Sequence, residues 1–241
     1  MADANPSLER RVAAEFVATM FLLAAVVGSG IMGQALSQGN DGIALLANAA
    51  ATAGALYVLI VIFAPISGAH FNPAVTVAMR LRGEVSRTHA VAYIATQTVA
   101  AVTGILLAHA MFDLPLIQAG THVRTGTAQW LSEAVATFGL LLTILLGLRH
   151  RPAALPALVA SYIFAAYWFT ASTSFANPAV TVARALTTTF AGIRPVDVAG
   201  FVAAQAIGVV AAMGVGGVLL RGEDARPAAT TAHKGASIDS P

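Results

Sequence analysis

"SGAHFNPAVTVAMRL" at residues 67–81 and "SFANPAVTVARAL" at residues 174–186 share seven consecutive letters, Asn-Pro-Ala-Val-Thr-Val-Ala, at 72–78 and 177–183. Identity of that length within one chain marks an internal repeat, and the repeat decides how everything else is read. Asn72 and Asn177 suit an N-cap, and Pro73 and Pro178 suit the first helical position, where a missing N–H costs nothing. From Pro178 to about Thr187 the chain has about 15 Å of helix, half of a bilayer core of roughly 30 Å. Each copy, with Ala74 or Ala179 completing its opening triplet, therefore reads as a half-helix that reaches the membrane midplane and goes no further.

Composition supplies the membrane. The 241 residues are 57% hydrophobic and only 10% charged, with mean hydropathy +0.76, whereas a soluble domain carries about 25% charged residues. Apolar stretches of spanning length lie at 12–32, 43–64, 89–111, 128–148, 154–172 and 196–220. Six crossings put both ends on one side. Ten of the 13 Lys and Arg residues fall at the ends and in the even-numbered loops, and Arg124, Arg184 and Arg194 fall on the other face. By the positive-inside bias both ends are cytoplasmic, so the basic balance reports topology and calls for no nucleic acid. The first apolar stretch is longer than a secretory signal core and contains Glu15, so it reads as a span. Residues 221–241 are polar and read as a disordered cytoplasmic tail, residues 1–10 as a cytoplasmic N-terminus.

Further repeats divide residues 11–220 into halves, about 11–111 and 128–220. "AEFVATMFLL" from Ala14 pairs with "SEAVATFGLL" from Ser132, aligning Glu15 with Glu133. "AYIATQTVAAV" from Ala92 pairs with "GFVAAQAIGVV" from Gly200, aligning Gln97 with Gln205. Each half has three crossings, an odd number, so the second is inserted upside down relative to the first. Inverted repeats of this kind build transport proteins whose solute path runs between the halves. The fold class is thus all-α membrane protein: six transmembrane helices plus two re-entrant half-helices in two inverted three-helix repeats. The non-helical lead-ins are tolerable at membrane depth only where they are buried or line a water-filled path. Their carbonyls, at Gly68, Ala69 and His70 and at Ser174, Phe175 and Ala176, then offer acceptors to a passing solute, and the two asparagine amides offer donors.

Two Asn-Pro-Ala motifs in inverted halves, with "AEF" opening the first span and "SGAHFNPAVT" at the first motif, resemble the aquaporin and aquaglyceroporin (major intrinsic protein) family over residues 10–220. The resemblance implies a homotetramer in membrane lipid, one pore per subunit, and passive conduction of water or small uncharged solutes. It implies that Glu15 and Glu133 brace the half-helix loops. It also implies a selectivity filter at Thr52, Ser174, Val180 and, on the fifth span, Ala165 or, with a one-residue shift, Phe164. Most members carry Arg where Val180 stands. The resulting filter, wide and weakly polar, is similar to that of the AqpS-like channels of bacterial arsenic-resistance operons, which implies a bacterial inner-membrane pore for arsenite as its neutral trihydroxide, with methylated arsenicals, glycerol and water as further solutes. Arg184 lies four residues beyond Val180 on the same face, and helical side chains lean toward the N-terminus, so it is a candidate replacement for the missing charge.

Other polar residues carry less. His109, His122 and His150 read as solvated groups at helix ends, with no spacing for a metal site. The chain has no cysteine, and no nucleophile, phosphate loop or catalytic carboxylate pair is legible. Neither an enzyme nor a cofactor is expected. A proton-coupled transporter using Glu15 and Glu133 is the rival from another class.

Overall fold

A computed structural model describes residues 6–221; the readings of 1–5 and of 222–241 lie outside them. Eight α-helices occur among the described residues: α1 (Leu8–Leu36), α2 (Asp41–Ser67), α3 (Pro73–Leu81), α4 (Arg87–Met111), α5 (Thr127–His150), α6 (Leu155–Phe169), α7 (Pro178–Arg184) and α8 (Val198–Leu219). Short 3-10 turns at Pro152–Ala154 and Pro195–Asp197 lead into α6 and α8. Six helical segments among the described residues are long and apolar enough to cross a membrane, α6 together with the 3-10 turn before it (Pro152–Phe169), and α3 and α7 are the two half-helices. The fold is the inverted repeat of two three-helix halves.

Local chemistry sets the boundaries. Ser7, Asn40 and Ser86 cap α1, α2 and α4 by accepting the N–H of Arg10, Ile43 and His89, which satisfies donors left open at a helix start. Pro65 lies in the last turn of α2, and Gly68 closes that helix at φ 88°, a left-handed cap that glycine adopts freely. The second half-helix stops at Arg184, short of the expected Thr187, because neighbouring loops capture its last carbonyls. Ile193 N–H binds the Arg184 carbonyl, Gly120 N–H binds Ala185 and Gln118 N–H binds Leu186.

Packing repeats the symmetry of the sequence. In the first half α1 packs on α2 and α4, in the second α5 packs on α6 and α8, and α2 meets α6 across the divide. Small residues let the backbones close up: a Cβ on Gly104 of α4 would overlap the Met20 carbonyl of α1, and one on Gly208 of α8 would lie 2.6 Å from the Ala134 carbonyl of α5. The outward surface is as apolar as the interior, with Phe21, Val58, Val99, Leu131, Trp168 and Val210 exposed. Such a surface fits lipid and not water. The six crossings put the ends of the described chain on one side, called here the near side; the loops 112–126 and 185–194 cover the far side.

Candidate functional site

Both half-helices start at the centre of the molecule, and their tips are tied to each other. Asn72 accepts the Ala74 N–H at 2.8 Å through Oδ1 and donates from Nδ2 to the Ala176 carbonyl at 2.8 Å. Asn177 mirrors it, accepting from Ala179 at 3.0 Å and donating to the Phe71 carbonyl at 2.9 Å. Each amide thus caps its own helix and clasps the opposite loop, and each Nδ2 keeps its second hydrogen for the cavity that both residues line. Pro73, Ala74 and Ala179 are buried behind the asparagines, whereas Pro178 is half-buried. Ala176 departs from its expected place: its carbonyl is consumed by Asn72 and the residue does not line the cavity.

The lead-ins are held in an unusual backbone state. Ala69 and Phe71 have φ 54° and 51°, and at the matching positions Ser174 and Ala176 have φ 51° and 47°. Each such non-glycine residue costs about 1–2 kcal/mol, so something must hold it. Left-handed residues in such a turn bring successive N–H groups toward one point, forming a concave anion site. Glu15 fills the first, accepting His70 N–H at 3.0 Å and Phe71 N–H at 2.7 Å. Glu133 fills the second, accepting Phe175 N–H at 2.8 Å and Ala176 N–H at 2.9 Å. With the N–H groups of His70, Phe71, Phe175 and Ala176 turned toward the glutamates, the carbonyls opposite them in the same peptides, of Ala69, His70, Ser174 and Phe175, point away, and these four residues, with Gly68, line the cavity.

A glutamine and a threonine complete each cradle. Gln97 donates to Glu15 at 2.8 Å and to Thr76 at 3.0 Å; Gln205 donates to Glu133 at 2.7 Å and to Thr181 at 2.8 Å. Ser67 adds a fourth donor to Glu15 at 2.7 Å. Both carboxylates are fully buried and neither lines the cavity. A relay that passes protons to the solute path needs a carboxylate on that path, so this arrangement weighs against the proton-coupled transporter.

One cavity runs through the molecule along the clasp, from Glu84 and Leu148 on the near side, past Asn72 and Asn177, to Ser174, Val180 and Arg184 on the far side. Its two walls differ in chemistry. Leu56, Ile60, Ile144, Val159 and Ile163 make one wall apolar, and the lead-in carbonyls and asparagine amides make the other polar.

At the far-side end the structure brings together Thr52, Ser174 and Val180, all buried and all lining the cavity. Ser174 Oγ is buried with no partner. The fifth-span expectation is overturned. Ala165 is exposed on the outer face of α6, and Phe164 lines a separate shallow groove there with Tyr57 and Ala160. Tyr167 takes the place instead, 3% exposed, with its hydroxyl 3.3 Å from Thr52 Oγ1. The far-side end is therefore not simply wide and weakly polar, because a phenol ring occupies it. The signal for Tyr167 was in the sequence: Leu155, Val159, Ile163 and Tyr167 recur every four residues and all line the cavity.

The far-side loops are locked around this end. Arg124 donates to the carbonyls of Gly192 and Ser172, and its own N–H binds Asp197, which also pairs with Arg194 at 2.9 Å. His109 is fully buried and not solvated: Nδ1 meets the Leu116 carbonyl and Nε2 meets Thr187 Oγ1, both at 2.8 Å, so it joins one far-side loop to the other. Arg184, 2% exposed, lines the cavity with its guanidinium 3.4 Å from the centre of the Phe175 ring. No cluster of residues able to hold a metal ion occurs among the described residues.

Similarity to known proteins agrees with this geometry. The family model described as major intrinsic protein matches residues 4–169. The chain is 56% identical over 201 residues to aquaglyceroporin AqpS of Rhizobium meliloti (strain 1021), covering 83% of this chain and 86% of that one. It is 37% identical to aquaporin NIP6-1 of Arabidopsis thaliana over 58% of this chain, a match that spans only 45% of the plant protein's length. The X-ray structure of the aquaglyceroporin from Plasmodium falciparum superposes with a TM-score of 0.71 over 90% of this chain and 97% of its own, at 17% identity, which shows the shared fold. With two clasped half-helices in inverted halves and a family model matching more than half of its length, the chain belongs to the major intrinsic protein family of membrane channels for small solutes.

Proposed function

We propose that the channel conducts compact uncharged hydroxylated solutes passively, with arsenite, as its neutral trihydroxide, the physiological one, and with methylated arsenicals, glycerol and water also passing. The observation that carries this reading is Val180, an uncharged side chain that lines the far-side end of the cavity together with Thr52, Tyr167 and Ser174. The two-sided cavity suits a solute with hydroxyls on one edge and an apolar remainder, because each wall replaces part of its hydration. Thr52, Tyr167, Ser174 and Val180 form the filter in this reading, with Asn72 and Asn177 orienting the solute at the centre.

Tyr167 favours a second reading, a general glycerol and water channel, since its ring takes up space at the filter. Uptake of arsenite and of glycerol by proteoliposomes separates the two. Arsenite uptake well above empty liposomes supports the first, and strong glycerol flux without arsenite uptake overturns it. The assembly we propose is a homotetramer in the inner membrane of a bacterium, with both ends in the cytoplasm. The basic residues of the near-side loops support that orientation.

A further inference from the structure

Arg184 is a cation held inside the solute path. It is 2% exposed, lines the cavity, and among the described residues no carboxylate pairs with it. Its Nε is fixed on the Ala191 carbonyl, and its guanidinium carbon lies over the Phe175 ring, 3.4 Å from its centre, and that ring is set in turn against Phe201. An aromatic face holds a guanidinium by attraction to the ring's negative π cloud. The terminal nitrogens meet no protein acceptor among the described residues. Val180, one helical turn before Arg184, leaves the space in front of it uncharged.

We infer that Arg184 supplies the positive charge of the far-side constriction from one turn further along α7, presenting its terminal nitrogens to solute oxygens and opposing cations and protons. This rests on the channel reading above and names the residue that sets its ion selectivity. Phe175 is the positioning residue: it keeps the guanidinium against the wall, so the charge remains while the bore in front of Val180 stays open.

The natural chain has no cysteine, so Arg184→Cys creates a single labelling site. In proteoliposomes with an imposed proton gradient, Arg184→Cys raises proton leak about tenfold over the wild-type protein, and glycerol flux, read in parallel, shows that the reconstituted pore is open. A methanethiosulfonate carrying trimethylammonium then restores the barrier, and a neutral reagent of similar size does not. Unchanged leak with glycerol flux intact overturns the inference, as does equal action of the two reagents. Should Arg184→Cys fail to fold, Arg184→Lys decides: wild-type leak supports the inference and raised leak overturns it. Absence of solute flux in the wild-type protein itself strikes the channel reading instead.

Discussion

At Val180 a single side chain decides how much of the far-side end is open. Replacing it with arginine puts a long cation beside Ser174 and Thr52, so Val180→Arg lowers glycerol and arsenite flux about tenfold or more and water flux less, read by stopped-flow light scattering. Tyr167 sets the opposite limit. Tyr167→Ala removes the ring that faces Thr52 and raises flux of solutes larger than glycerol, whereas Tyr167→Phe, which loses only the 3.3 Å hydroxyl contact, changes it little. Equal fluxes in Tyr167→Ala and the natural protein would show that the ring does not limit passage. At this scale the sequence was only partly legible. Thr52, Ser174 and Val180 follow from their distance to rigid motifs, but the fifth-span residue depends on the phase of α6, which has no motif to anchor it. Counting from the second motif across the irregular segment 170–177 slipped by two residues, from Ala165 to Tyr167. His109 was misread for a related reason: a histidine at a helix end looks solvated until the loop that buries it is known.

The half-helices were the most legible elements, because Asn-Pro writes a helix start; the bracing by Glu15 and Glu133 was implied by the family resemblance, and the parts played by Gln97, Gln205, Thr76 and Thr181 were not read. The alternation of left-handed residues at 69 and 71 and at 174 and 176 was not legible, since alanine, phenylalanine and serine carry no signal for that backbone. It exists because Glu15 and Glu133 draw successive N–H groups together. Glu133→Gln therefore turns an amide N–H against donors and leaves one of them unpaired, a loss of about 2–3 kcal/mol. The thermal midpoint in detergent falls by about 5–10 °C, and solute flux falls with it. Normal stability with flux lost would assign Glu133 to the solute path, and this placement of the carboxylate would be wrong. The early stop of α7 was also hidden in the sequence, because it depends on Gln118, Gly120 and Ile193 reaching its end from other loops.

At the scale of the whole molecule, the odd number of crossings per half forces the inversion, and the inversion brings two half-helix tips to one point. This much was readable from repeats and apolar spans alone. What was not readable is how closely the helices approach: Gly104 sits against the Met20 carbonyl of α1, so Gly104→Leu forces α1 and α4 apart and sharply lowers the yield of folded channel in detergent chromatography. A fully folded Gly104→Leu protein would mean that the crossing is looser than described. With clasped tips, and with the buried glutamates off the path, the passive channel proposed above predicts that solute movement follows only the solute's own gradient. Stopped-flow glycerol flux into proteoliposomes, measured over a range of gradients with and without an imposed proton gradient, tests this most directly. The expected result is flux above empty liposomes that rises in proportion to the glycerol gradient and ignores the proton gradient; flux that saturates and depends on the proton gradient would contradict it.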